Sequence, residues 1–211
     1  MVRLSSAPIP EVRKGLFECI DKMQINLTRA EILKALPKVA EGLGKYLCIQ
    51  ALVEQASDLT QDPIFQKKYN GFYRVRRNEE WRRHYFKILE SQRHKKKGEG
   101  LGFLDVLKSI HRRTGKVEAS FASKLTASVD TSLPVIDSIV LKNIGARLPA
   151  TKTGDRLSMI VTMYDDLAKC YEDYLRTEIG KFLVKEFIKQ YPHARISKVK
   201  MIDFVLWQTR Q

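Results

Sequence analysis

TGKVEASFASKLTASVDTSLPVIDSIVLKNIGARL, residues 114–148, carries two short helical patterns joined by an apolar loop, and the rest of the chain is read outward from it. A glycine turn at Gly115 follows the basic run His111, Arg112 and Arg113. Val117, Phe121, Leu125 and Val129 then recur every four residues, which puts one apolar stripe on the inner face of a helix. Glu118, Lys124 and Ser128 fall off that stripe. Leu133-Pro134-Val135-Ile136 is too short and too apolar for a surface linker. It reads as a buried approach that fixes the position of the carboxylate after it, Asp137.

Composition sets the class of partner. Among 211 residues, 38 Lys and Arg face 24 Asp and Glu, a formal net charge of +14. Such an excess attracts a polyanion, nucleic acid first and an anionic membrane surface second, and says nothing about fold. The length suffices for a real core. Cys19, Cys48 and Cys170 are widely spaced and odd in number, and read as reduced thiols. Neither they nor His84, His94, His111 and His193 have metal-ligand spacing, so no metal or cofactor is expected. With no signal peptide and no apolar run able to span a bilayer, the expected location is the cytoplasm, or the nucleoid in a bacterium, without a membrane partner.

The remaining chain reads as helices. Pro8 and Pro10 mark a loose arm, and Val12, Leu16, Phe17, Ile20 and Met23 form a helical stripe. Thr28 and Glu31 form a capping box for a short helix to Leu36, and Pro37 opens another with Val39, Leu43, Tyr46, Leu47, Leu52 and Val53 inward. Residues 58–71, with Pro63, Asn70 and Gly71, read as loop with a short turn. Phe72 to Arg77 alternates aromatic and basic residues, and Asn78 caps a helix with Trp81, Tyr85, Phe86 and Leu89 inward. These aromatics either stack on unpaired bases or form a core beneath a solvated basic face. Residues 93–100, with Lys95, Lys96, Lys97 and two glycines, read as a charged linker that either binds phosphate or is simply solvated. Phe103, Leu104, Leu107 and Ile110 define the helix entering the glycine turn. Asp155 caps a long helix, Gly180 interrupts it, Tyr191-Pro192 stops it, and Ser197 caps the last one. The expected organisation is residues 1–97, 98–148 and 149–211, the last packing back on the first in one unit.

The Gly115 turn and the Pro134-Val135-Ile136-Asp137-Ser138 run resemble the helix-hairpin-helix DNA glycosylase superfamily. In that resemblance Gly115 stands for the first hairpin glycine and Asp137 for the catalytic carboxylate, at a separation similar to that of the adenine-mismatch members. Val140, Lys142, Arg147 and Leu148 fall where the family has valine, a basic residue and Arg-Leu. The departures are specific. Arg113-Thr114 replaces Leu-Pro, Val117 replaces the second glycine, the lyase lysine falls on Ala119, and the iron–sulfur cysteines are missing. The resemblance implies an all-α, two-lobed glycosylase-like fold with a helix-hairpin-helix element.

What such a site would do follows from its chemistry. Backbone N–H groups at a glycine turn and helix start can hold a phosphate without reading sequence. Arg112, Arg113, Thr114, Gly115, Lys116 and Val117 are the expected contacts with duplex DNA. Arg74, Arg76, Arg77, Lys95, Lys96 and Lys97 are additional ones. The other reading of Gly115 is an ordinary helix C-cap. Asp137 would stabilise the sugar cation that forms as a flipped base leaves, and it is also a good N-cap. With Ala119 at the lysine position, the expected enzyme is monofunctional, releasing a base without cutting the strand. The alternatives are a non-catalytic DNA-binding protein of the same fold and a helical scaffold whose charge is incidental.

Overall fold

The computed structural model describes residues 23–95, 99–100, 102–150 and 155–209. Among them the secondary structure is helical throughout, as the periodicity predicts: α1 (Arg29–Gln55), α2 (Pro63–Tyr73), α3 (Glu79–Arg93), α4 (Phe103–Thr114), α5 (Ala119–Val129), α6 (Ser138–Asn143), α7 (Arg156–Arg176), α8 (Glu178–Gln190) and α9 (Lys198–Gln208). Most of the stripe from Val12 to Met23 lies outside the described residues; Met23 itself packs half-buried against the core. No described helix is long and apolar enough to cross a membrane.

Two helices are enclosed on nearly every side. In α5, every residue from Ala119 to Ser128 except Ser120 is buried, and in α9 every residue from Lys200 to Leu206 is buried. Helix α5 packs chiefly on α3 and α4, and α9 chiefly on α1, α6, α7 and α8. Apart from Ala127, their buried apolar residues belong to one contiguous cluster that runs from Ile25 to Leu206.

Local caps form where side chains announce them. The Thr28–Glu31 capping box starts α1. Asn78 accepts from the Trp81 N–H, Asp155 from Ser158 and Ser197 from Lys200, each satisfying a helix-start donor. Four boundaries differ from the sequence reading, the first being the helix after Asp137, which is expected to run to about Leu148 and ends at Asn143. Helix α1 continues through Pro37 instead of breaking before it. Ile32, Leu36, Val39, Leu43 and Tyr46 stay in phase across the proline and are all buried. Pro37 and Leu33, whose carbonyl loses its partner, share the solvent face where water can replace the lost bond.

Residues 63–71 are helix, not loop. Asp62 accepts from the N–H groups of Ile64 and Phe65, and Pro63 occupies the first turn, where its missing N–H costs nothing. The long C-terminal helix breaks at Thr177, before Gly180. The Thr177 hydroxyl accepts from the Gly180 N–H, and a Cβ on Gly180 would lie 2.0 Å from the Tyr174 carbonyl oxygen, so only glycine lets the two helices meet this closely.

Inside α9 lies a buried ion pair. Lys200 Nζ donates to Asp203 at 2.6 Å, the Tyr171 hydroxyl donates to the other carboxylate oxygen at 2.8 Å, and the ammonium lies 5.5 Å from the Tyr46 ring centroid. Burial pushes the Asp203 carboxyl up, with Lys200 opposing. Burial alone would lower the Lys200 ammonium, but the Asp203 charge holds it above the usual lysine range. Asp203→Leu is therefore expected to cost about 3–5 kcal/mol, because it strands a buried cation. Lys200→Met combined with Asp203→Leu should cost much less than the sum of the two single changes. Equilibrium urea unfolding of the three variants measures this, and strictly additive costs would show that the pair is not a unit.

Candidate active site

The carboxylate is delivered by a loop that the core holds at each step. Pro134, Val135 and Ile136 are buried, as the sequence predicts. The Tyr164 hydroxyl donates to the Pro134 carbonyl at 3.1 Å, and the Ile136 N–H donates to Ser123 Oγ at 2.9 Å, fastening the loop to α7 and α5. Asp137 follows as the N-cap of α6, with Oδ1 accepting from the Ile139 N–H at 2.9 Å. Its other oxygen, Oδ2, stands 3.9 Å from Lys124 Nζ.

Lys124 is the residue that periodicity missed. Its side chain is 9% exposed, although it was read off the buried stripe. Because α5 is enclosed, positions off the stripe are buried as well. The ammonium donates to the Tyr73 carbonyl at 3.2 Å and lies 5.6 Å from the centroid of the Phe121 ring. Burial holds it below the usual lysine range, Arg74 adds to the effect, and Asp137 opposes it. Ala119, the position that carries the lyase lysine in the resemblance, is itself buried in the core.

Lys124 and Asp137 lie on the wall of a cleft of about 1700 Å³. Helix α1 lends it Lys38 and Lys45; α2 and its end lend Lys67, Lys68 and Arg74; α6 and the following turn lend Lys142 and Arg147. Apart from Asp137, the carboxylate lining it among the described residues is Glu41, which pairs with Lys45. Phe72, Tyr73, Phe121 and Trp207 supply aromatic surface. Of the aromatics that could stack on a base, Tyr73 and Trp207 thus reach the cleft, Trp81 lines a separate small hollow, and Tyr85 is core. Arg74 caps α2 with φ 54°, the one positive φ at a non-glycine residue among those described. A left-handed arginine costs about 1–2 kcal/mol, and here it faces the cleft beside Lys124.

The glycine turn lies elsewhere. Arg113, Thr114 and Lys116 border the small hollow of about 260 Å³ together with Arg77, Asn78, Glu80, Trp81 and Glu118. Gly115 is the left-handed C-cap of α4, with φ 68°, and its N–H donates to the His111 carbonyl at 2.8 Å. The Lys116 N–H donates to Thr114 Oγ1 at 3.2 Å, so two of the turn's amides already have partners. Arg113 pairs with Glu80. Arg77 makes a forked pair with Glu118 at 2.9 and 3.0 Å, with its guanidinium 4.8 Å from the Phe121 centroid. Arg112, Gly115 and Lys116 are exposed, the Val117 carbonyl accepts from Arg156, and none of residues 112–117 lines the cleft that holds Asp137.

Of the additional basic residues, Arg74 reaches the cleft, while Arg76 and Lys95 are exposed outside it. Lys96 and Lys97 lie outside the described residues. Arg93, at the start of the charged linker, is not a solvated cation. Its side chain, 1% exposed, donates to the carbonyls of Val53, Ala56 and Ser57 and ties α3 to the end of α1.

As a C-cap with positive φ, Gly115 gives a definite expectation. Gly115→Val forces a β-branched residue into the left-handed region and should lower stability by about 1–2 kcal/mol, although a Cβ there meets nothing within 4 Å. Gly115→Asn should recover part of the loss. Urea unfolding reads both, and an unchanged midpoint in the valine variant would contradict the capping role. No protein-family model, curated protein or solved structure matches the chain.

Proposed function

We propose that the chain binds duplex DNA across the basic cleft and acts on one extruded nucleotide there, as a glycosylase that hydrolyses the N-glycosidic bond. The observation that carries this reading is Asp137, a fixed and partly exposed carboxylate (23% of its side chain) on the wall of a cleft otherwise rich in cations. Loss of a base leaves positive charge on the sugar, and a rigid carboxylate stabilises it without reorganising. The N-cap bond consumes one oxygen of Asp137, fixing its orientation and leaving the other toward Lys124. The grouping of α3 to α5 apart from α1 and α6 to α9 supports the two-lobed glycosylase-like fold, with the nucleotide entering where the groups meet.

Phosphate contacts on this reading come first from the cleft rim, from Lys67, Lys68, Arg74, Lys142 and Arg147. The Thr114–Val117 turn is the second surface, contributing Arg112 and Lys116 and whichever amides the turn leaves available. Affinity should fall steeply with salt and depend little on sequence. Neutralising Lys67 or Lys68 should lower the salt slope by about one for each cation that meets a phosphate. An unchanged slope in both variants would take the rim off the DNA path.

Asp137→Asn keeps the shape and the capping ability but removes the charge. Base release from duplexes carrying alkylated, deaminated, oxidised or mismatched bases should fall about 10²-fold or more, roughly 3 kcal/mol, with little change in stability. Full activity in the asparagine variant would exclude Asp137. The internally bonded amides of the turn favour a second reading, a DNA-binding protein without catalysis. Salt-sensitive binding with no base released from any of these duplexes would select it.

A further inference from the structure

We infer that the cleft takes a run of unpaired nucleotides, so that its preferred occupant is single-stranded DNA and a duplex enters only where it has opened. The inference rests on the reading that the cleft takes DNA, but not on base release.

Size and charge point to an extended ligand. Pockets for one small molecule measure about 300–1,000 Å³. This cleft measures about 1700 Å³. Its cations are spread out instead of converging on one point. Lys38 and Lys45 sit two turns apart on α1, a rise of about 10 Å, with Glu41 between them and paired to Lys45. Helix α2 adds Lys67 and Lys68, and the turn after α6 adds Arg147. All five of these cationic residues are exposed. Separated, hydrated cations suit a chain of phosphates better than a single anion. One extruded nucleotide would fill only the part beside Asp137, and the rest of the cleft has room for its neighbours.

The aromatic wall separates unpaired from paired bases. Phe72 and Trp207 line the cleft half-buried, and their rings meet edge to face at 5.7 Å. Trp207 meets Phe204 edge to face as well, and Phe72 meets Tyr73 in the same way. Among the described residues no ring lies flat on either of them, whereas Trp81, outside the cleft, is stacked flat on Tyr85. Both rings are fixed near the carboxylate. Asn143 Nδ2 donates to the carbonyls of Leu206 and Thr209 at 2.6 Å each, on either side of Trp207, tying it to α6, the helix that Asp137 caps. Phe72 immediately precedes Tyr73, whose carbonyl holds Lys124. A base inside a duplex has both faces covered by its neighbours and offers only its edges, while an unpaired base can lie on an aromatic face. A closed duplex would therefore use the cations of the cleft and leave its rings idle; a single strand uses both.

The test measures binding of the full chain to three oligonucleotides of one length, roughly 12 nucleotides. They are oligo(dT), a blunt duplex, and a strand of tetrahydrofuran residues that keeps every phosphate but carries no base. Stacking of one base on an aromatic ring is worth on the order of 10-fold in affinity. Oligo(dT) should therefore bind about 10-fold or more tighter than either of the other two. Phe72→Leu and Trp207→Leu should each lose about 10-fold on oligo(dT), with the baseless strand and the salt slope unchanged, because the cations remain. A variant that had merely lost its fold would weaken on both strands alike. Equal affinity of wild type for oligo(dT) and the baseless strand, or a preference for the duplex, would overturn the inference. So would equal losses on both strands in two variants that unfold at the wild-type urea midpoint. If neither variant folds, the wild-type comparison of the two strands decides alone. Tight, salt-sensitive binding of the duplex without a preference for the single strand removes this inference and keeps the DNA reading. Failure to bind any of the three removes both.

Discussion

The hydrogen bond from the Ile136 N–H to Ser123 Oγ joins the core to the loop that carries Asp137. Helix α5 is enclosed on almost every side, yet it carries Ser123, Lys124, Thr126 and Ser128 in its buried span. Buried polar groups must find partners or cost about 1–3 kcal/mol each. Thr126 satisfies itself on the preceding turn, with the carbonyls of Ala122 and Ser123. The others reach out: Ser123 takes the Asp137 loop, Lys124 takes the end of α2 at Tyr73, and Ser128 joins Tyr69, which contacts Tyr85 in turn. An apolar α5 of the same volume would leave the buried Ile136 amide without this acceptor and the Asp137 loop without its fastening to the helix.

Much of this was legible in the sequence where the signal is local. A cap is set by a side chain and an amide two or three residues apart, so Thr28, Asn78, Asp155 and Ser197 could be read without knowing the fold. Asp137 belongs to the same class, and the apolar run before it told correctly that it would be held. Pro37 shows the opposite case. Its local message is to stop, but the stripe of buried residues on both sides outweighs the loss of one hydrogen bond, and its exposed position makes that loss small. At Asp62-Pro63 the proline was read as a breaker when its neighbour makes it a starter.

What stayed illegible depends on neighbours far along the chain. Periodicity assigns one inner face to a helix, and it fails for a helix that has no outer face. Lys124 was therefore left off the inner face by the rule that correctly buried Phe121 and Leu125. Arg93 was misplaced for a related reason. It heads a run of cations, and charge alone cannot show that its guanidinium would cap the carbonyls ending α1, some 40 residues earlier. The positive charge of the chain was a poor guide to where its cations lie. Its cations divide among ion pairs such as Arg77–Glu118, internal caps such as Arg93, and the rim of one cleft.

Among the described residues two lysines are buried, one in a closed ion pair and one in an open setting. Lys200 reaches its carboxylate at 2.6 Å, and a tyrosine hydroxyl satisfies the other oxygen of that carboxylate, so the pair is closed. Opening it would strand charge in the core, and its proton is held above the ordinary range. Lys124 has the same chemistry in an incomplete setting. Its carboxylate is 1.3 Å farther away, that carboxylate's other oxygen is spent on the α6 amide, and the Arg74 charge repels it. Closing the Lys124–Asp137 pair to contact would stabilise the ammonium and would also bury the carboxylate against it. The α6 cap on Asp137 and the Tyr73 carbonyl on Lys124 orient the two groups separately on the cleft wall. Stability alone would favour the closed pair or an apolar residue at position 124. The open arrangement leaves an amine and a carboxylate side by side, each with capacity for a third partner between them.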